Sequence, residues 1–76
     1  MEAYVLVQSE VGAAAGVADE IGALEGVLSA EAITGPYDVI ARVQVDSVDA
    51  LGRLVVSRIQ RVEGVTRTLT CPIVHL

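Results

Sequence analysis

The sequence predicts an α+β fold in which a strand–helix–strand unit occurs twice, βαββαβ. Three observations lead to it: the chain repeats itself at half its length, its apolar positions switch between steps of two and steps of three or four, and a glycine closes each helical stretch. Slid on itself by 38 of its 76 residues, the chain aligns Ala3 with Ala41, Val5 with Val43, Val7 with Val45 and Ser9 with Ser47. The same register sets Val17 on Val55, Ile21 on Ile59, and Glu25-Gly26-Val27 on Glu63-Gly64-Val65 without a gap. These matches fall at the structural punctuation as well as in the apolar runs, as duplication of a folded unit requires.

The first strand is expected over residues 3–8 and the third over 39–45, both rich in β-branched side chains, with Val39, Ala41, Val43 and Val45 sharing one face. Helices are expected to begin after Ser9 and after Asp46-Ser47, whose short oxygen-bearing side chains can accept hydrogen bonds from free helical amides. The second helix is the clearer, with Val48, Leu51, Val55, Ile59 and Val62 on one stripe. Val11, Ala14, Ala18, Ile21 and Leu24 give the first helix its stripe, although Gly12, Gly16 and Gly22 lower its intrinsic propensity. Gly26 and Gly64 supply the left-handed residue that commonly ends a helix, and strands of about 27–34 and 65–71 follow.

Two such halves with right-handed crossovers give a ferredoxin-like unit: a four-stranded antiparallel sheet in the order 4-1-3-2, with both helices on one face. The first strand is then central, and both of its faces, Ala3/Val5/Val7 and Tyr4/Leu6, are apolar. Helices cover only one side of the sheet. The other needs a cover, and the economical one is the same face of a second copy, a dimer formed through the sheet with Tyr4 and Leu6 in its interface. Pro72 suits the end of an edge strand, which the fourth strand is.

Residues 1–76 make one domain at most, and a chain this short leaves much of its surface unburied. With 53% hydrophobic residues and a mean hydropathy of +0.59, some apolar material is expected to face another chain. Charges recur too often for a membrane span, and no secretion signal is visible, so a cytoplasmic location is expected. Ten acids against five basic residues, all of them arginine, leave a net charge of −5, which argues against direct nucleic-acid binding. Arg53, Arg58, Arg61 and Arg67 read as a solvated or inter-subunit face.

The inventory for catalysis is thin: one His, one Cys, no Trp and no Phe. Cys71 and His75 fall short of a metal set, so no metal and no cofactor are expected. Cys71 reads as a small buried hydrophobe. Glu25 and Glu63 occupy equivalent places beside the helix-ending glycines, and Asp19 and Glu20 are solvated by default.

Thr34-Gly35-Pro36-Tyr37-Asp38 stands apart. An ordinary β-turn between the second and third strands explains Gly35 and Pro36. It does not require Tyr37 or Asp38, which offer an aromatic wall and an anion for a ligand's ammonium group, while amides near Gly35 could meet a carboxylate. That combination suits a zwitterion.

This turn, followed by a Val-rich strand, then Asp46, Asp49, Leu51, Ile59, Gly64-Val65 and the alternating Thr66, Thr68 and Thr70, resembles the effector-binding domain of the leucine-responsive/asparagine-regulator (Lrp/AsnC) transcription factors. The resemblance covers nearly the whole chain and is most specific at the turn and at the Gly-Val strand with its alternating threonines. It implies a ferredoxin-like fold, dimers through the sheets, rings of four or five dimers, and small amino-acid effectors held between dimers. Gly35, Tyr37, Asp38 and, less directly, Thr34 take the ligand-binding role by matching the motif. Full-length members carry an N-terminal helix-turn-helix domain, whereas this sequence opens on its first strand; it resembles the stand-alone members. The expected function is therefore a non-enzymatic sensing and oligomerisation module that modulates transcriptional regulation of amino-acid metabolism, alone or together with full-length regulators. Two alternatives share the architecture: a small cofactor-free enzyme using Tyr4, Arg42 and Gln44 in a sheet cleft, and a purely structural oligomeriser.

Overall fold

The computed structural model describes residues 1–76. Its elements run β1 (Glu2–Ser9), α1 (Ala14–Gly22), β2 (Val27–Ala32), β3 (Val39–Gln44), α2 (Val48–Ser57) and β4 (Val65–Pro72), with a 3-10 turn at Ile59–Arg61 before β4. The sheet is antiparallel in the order β2-β3-β1-β4, the expected order read from the other edge. No helix is long and apolar enough to cross a membrane.

Alternation along the central strands decides which face is the core. Ala3, Val5 and Val7 of β1 and Val39, Ala41 and Val43 of β3 are buried, together with Val17, Ala18 and Ile21 of α1 and Leu51, Leu54 and Val55 of α2. Register pairs these inner residues directly: Ala3 with Val43, Val5 with Ala41 and Val7 with Val39. The interior holds no aromatic side chain; β-branched, leucyl and alanyl groups fill it, and Ile21 and Ile59 are its largest fully enclosed members. A side chain of that size contributes roughly 1.5–3 kcal/mol on burial, so the core depends on many modest contributions.

The helix boundaries differ from the sequence expectation. Ser9 ends β1, and α1 begins at Ala14 behind Ala13, which makes no side-chain cap. The reason lies in the sheet: Ser9 pairs with Val65 after a register shift at Gln8/Ser9, so its backbone belongs to the ladder. Val11 consequently falls in the connection and is exposed, as is Val48 at the first position of α2. The second cap is as expected, with the Ser47 hydroxyl accepting from the Ala50 amide at 3.0 Å.

Nor does α2 run on to Val62. It stops at Ser57, and the chain turns tightly through Arg58 so that Ile59 still reaches the core from the 3-10 turn. Gly26 and Gly64 have φ of +92° and +97°, the left-handed conformation expected, but each stands just before its following strand rather than against the helix. Cys71 is exposed, contrary to the buried role expected of it. It pairs with Tyr4 across β1 and β4 and shares that residue's face, away from the helices.

Candidate ligand site

The β2–β3 connection, Ile33–Asp38, is held to the far end of β1 by a set of hydrogen bonds rather than by burial. The Asp38 amide donates to the Val7 carbonyl at 2.8 Å, and the Asp38 carbonyl accepts from the Ile33 amide at 2.8 Å, closing the connection on itself. One Asp38 carboxylate oxygen accepts the Ser9 amide at 2.8 Å, and the Gln8 side-chain amide donates to the Pro36 carbonyl at 3.0 Å. Three consecutive residues of β1, Val7, Gln8 and Ser9, thus hold the turn from one side, the last two outside the regular ladder of β1 and β3.

Within this frame the expected site residues are presented unequally. Thr34, Gly35 and Pro36 are exposed, while Tyr37 and Asp38 are half-buried. Gly35 has φ of +136°, a conformation that side chains strongly oppose, yet a Cβ there would meet nothing within 4 Å. Its glycine serves backbone geometry; nothing in the chain approaches it closely. Asp38 spends one carboxylate oxygen on Ser9, and the second has no hydrogen-bond partner in the chain.

The turn has two neighbours that the sequence did not single out for this place. Gln8 supplies the bond to Pro36, and the Ser9 hydroxyl is buried without a hydrogen-bond partner. The signal for Ser9 was present in the sequence but read as a helix cap. Only the antiparallel topology, which sets the end of β1 beside the start of β3, brings it to Asp38.

On the sheet face opposite the helices lie Glu2, Tyr4 and Arg42. The Arg42 guanidinium donates from Nε to the Glu2 carboxylate at 2.7 Å and from Nη1 to the Tyr4 hydroxyl at 3.1 Å, and its centre stands 5.5 Å from the Tyr4 ring centroid. The hydrogen bond to Glu2, and then the negative charge of Glu2, push the Arg42 pKa up, so the guanidinium stays charged. Tyr4 and Arg42 are therefore committed to one another, and Gln44 is exposed at the strand end. No group of three or more metal-ligating side chains occurs.

The profile of the Lrp/AsnC ligand binding domain matches residues 2–75, the whole of the fold just described. The chain belongs to this family. Among curated relatives, the Lrp/AsnC domain here is 30% identical over 54 residues to the uncharacterized HTH-type transcriptional regulator PYRAB16920 of Pyrococcus abyssi, a match covering 71% of this chain and 36% of that protein. It spans about a third of the length of such relatives. Among solved structures, TTHA0845 of Thermus thermophilus is 31% identical with a TM-score of 0.91, over 99% of this chain and 94% of that one. A transcriptional regulator of Neisseria meningitidis, solved in complex with L-Met, shares the fold at a TM-score of 0.85 and 20% identity, over 97% of this chain and 49% of that one. The Lrp/AsnC domain is thus the ligand-binding part of a transcription-regulator family.

Proposed function

We propose that this domain senses a small amino acid, which it binds at the Thr34–Asp38 turn where one sheet dimer meets another. The observation that carries the reading is the double grip of Gln8 and Ser9 on the turn: it fixes an exposed Gly35, a half-buried Tyr37 and a carboxylate with one unpaired oxygen in a single rigid segment. Asp38 takes the ligand ammonium, Tyr37 provides an apolar wall, and the amides about Gly35 receive the carboxylate. Thr34 borders the same opening. The L-Met complex of the Neisseria regulator supplies the ligand class. Thr34, Gly35 and Pro36 are exposed and no cleft of the chain includes the turn, so it encloses a small zwitterion only together with a neighbouring molecule; binding is then linked to assembly in both directions.

Pairing through the sheet follows from the face that the helices leave open. Register places Ile40, Leu6 and Leu69 in one row across β3, β1 and β4, and Arg42, Tyr4 and Cys71 in the next. A three-strand aliphatic row beside a tyrosine is the kind of surface that a two-fold copy of itself covers well. A thermal-shift screen of the twenty amino acids, followed by calorimetry on the best, tests the reading. One or a few amino acids should raise the melting temperature in a concentration-dependent way; no shift with any of them would leave a structural oligomeriser as the better account.

A further inference from the structure

The larger of the two clefts in the molecule lies at the opposite end of the sheet from the Thr34–Asp38 turn, between α2, the end of β3 and the residues that lead into β2. At about 530 Å³ it has the size of a small-molecule site. Ala50, Arg53, Leu54 and Ser57 recur at steps of three and four, so they share the face of α2 that borders it, and Arg58 follows at the end of the helix. The other side is fixed backbone. The Gln44 amide donates to the Gly26 carbonyl at 2.8 Å and the Val45 amide to the Met1 carbonyl at 2.9 Å, while a Cβ on Gly26 would lie 3.5 Å from a Leu54 methyl. Leu51, Leu54 and Val55 anchor α2 in the core, so neither side is free to close on the other.

The charges of the cleft are spread along the helix. Asp46 precedes the Ser47 cap, and Arg53 lies a rise of about 9 Å beyond that cap, with Arg58 more than a turn further on. Glu25 adds a second acid on the sheet side. No ion pair joins either acid to either arginine; the ion pair of the molecule, Arg42 with Glu2, is on the open sheet face. The internal repeat shows that the fold does not need these cations. The positions equivalent to Arg53, Ser57 and Arg58 in the first half hold Ala15, Asp19 and Glu20, and the same helix packs on the same sheet there.

We infer that this cleft is a second ligand site, separate from the turn, for a small zwitterion whose charges stand at the two ends of an extended chain, as in an ω-amino acid. The ligand carboxylate meets the guanidinium groups of Arg53 and Arg58, whose forks suit it, and the Ser57 hydroxyl can donate to it as well. The ammonium at the far end meets Asp46, and the methylene groups between lie along Leu54 and Val45. An α-amino acid with an apolar side chain carries both charges on one carbon and cannot serve both ends of the cleft. A simple anion leaves Asp46 without a partner and faces Glu25 in a chain of net charge −5. Every group in the site comes from one chain, so it rests neither on the turn nor on any contact between copies.

Calorimetry on the full chain with three five-carbon probes tests the inference. In 5-aminovalerate the charges are at opposite ends, in 2-aminovalerate the same atoms put them on one carbon, and valerate has no ammonium. Each is titrated into wild type and into Asp38→Asn, which disables the turn. The affinity for 5-aminovalerate should be the same in both chains, and in Asp38→Asn the other two probes should bind at least about tenfold more weakly. Arg53→Gln and Asp46→Asn, both at exposed positions, should each weaken 5-aminovalerate by about tenfold or more. The melting temperature without ligand checks their fold, and Arg58→Gln replaces either variant if it fails that check. The cleft site is overturned if wild type gives no binding heat with 5-aminovalerate, if the three probes bind Asp38→Asn equally, or if folded Arg53→Gln and Asp46→Asn bind as wild type does. Loss of 5-aminovalerate binding in Asp38→Asn would move the ligand to the turn and overturn the cleft as well. Failure of the turn reading shows separately, as 2-aminovalerate and the twenty amino acids giving no Asp38-dependent binding while 5-aminovalerate still binds.

Discussion

The Asp38 carboxylate accepts a 2.8 Å hydrogen bond from the backbone amide of Ser9, and so ties the β2–β3 turn to the last residue of β1. This gives Asp38 two separable duties. One oxygen serves the fold; the other has no partner in the chain and is the one proposed to meet a ligand. Asp38→Asn keeps a side-chain oxygen for the Ser9 amide, whereas Asp38→Ala leaves that amide unpaired. Urea unfolding should show Asp38→Ala less stable by about 1.5–3 kcal/mol and Asp38→Asn by no more than about 1 kcal/mol. Calorimetry with the best amino acid should show both variants weakened by tenfold or more, since each has lost the anion. Equal affinity in wild type and Asp38→Asn would reduce the segment to a plain structural turn.

Leu6 sits at the middle of the open sheet face, between Ile40 on β3 and Leu69 on β4. Leu6→Glu should be tolerated by the isolated fold, because the side chain points away from the core, and should abolish sheet pairing by placing an unpaired carboxylate in a dry interface, at a cost of several kcal/mol. Light scattering is the check. An unchanged mass with Leu6→Glu would mean that copies do not meet through this face.

The parts of the fold readable in the sequence were those where periodicity and punctuation coincide. Val39, Ala41 and Val43 alternate onto the core as their spacing requires, and Ser47 caps α2. Ser9, its repeat mate, could not be read the same way. Whether a serine at a strand end continues a ladder or caps a helix depends on a partner strand 56 residues away at Val65, which local sequence does not announce. Cys71 differs for a related reason: the alternating threonines set it on one face with Arg67 and Leu69, but nothing local says which of the two faces meets the helices, and only the register to Tyr4 does. The turn at Gly35–Asp38 was legible as a turn, but its fastening by Gln8 and Ser9 is long-range and was not.

Gly26 and Gly64 separate conformational strain from crowding. Both have positive φ, but a Cβ on Gly26 would come no nearer than 3.5 Å to its neighbours, whereas on Gly64 it would lie 3.1 Å from the Ala13 Cβ and 3.2 Å from a Val17 methyl. Gly26→Ala should therefore cost about 1–2 kcal/mol from the left-handed backbone alone. Gly64→Ala should cost at least about 1 kcal/mol more, because α1 must shift to admit the methyl group. Denaturant midpoints of the two variants settle the order, and a Gly64→Ala chain as stable as Gly26→Ala would show that the approach of α1 to the β4 turn is looser than described.

Ser9 and Ser47 make the converse comparison, equivalent residues with opposite fates. The Ser47 hydroxyl accepts the Ala50 amide at 3.0 Å, while the Ser9 hydroxyl is buried and unpartnered. Removing a working cap costs about 1 kcal/mol, so Ser47→Ala should be destabilised by that amount. Removing a buried hydroxyl that makes no bond relieves a desolvation penalty, so Ser9→Ala should match wild type or exceed it by up to about 1 kcal/mol. The two serines then differ in sign as well as size. The orphaned hydroxyl lies beside Asp38, and it gains a donor in the ligand's ammonium group if binding opens the turn enough to reach it. In that case Ser9→Ala, though stable, should show a smaller thermal shift with the best amino acid than wild type does. A Ser9→Ala chain that is less stable without ligand and unchanged in its response to ligand would place the Ser9 hydroxyl in the fold and remove it from the site.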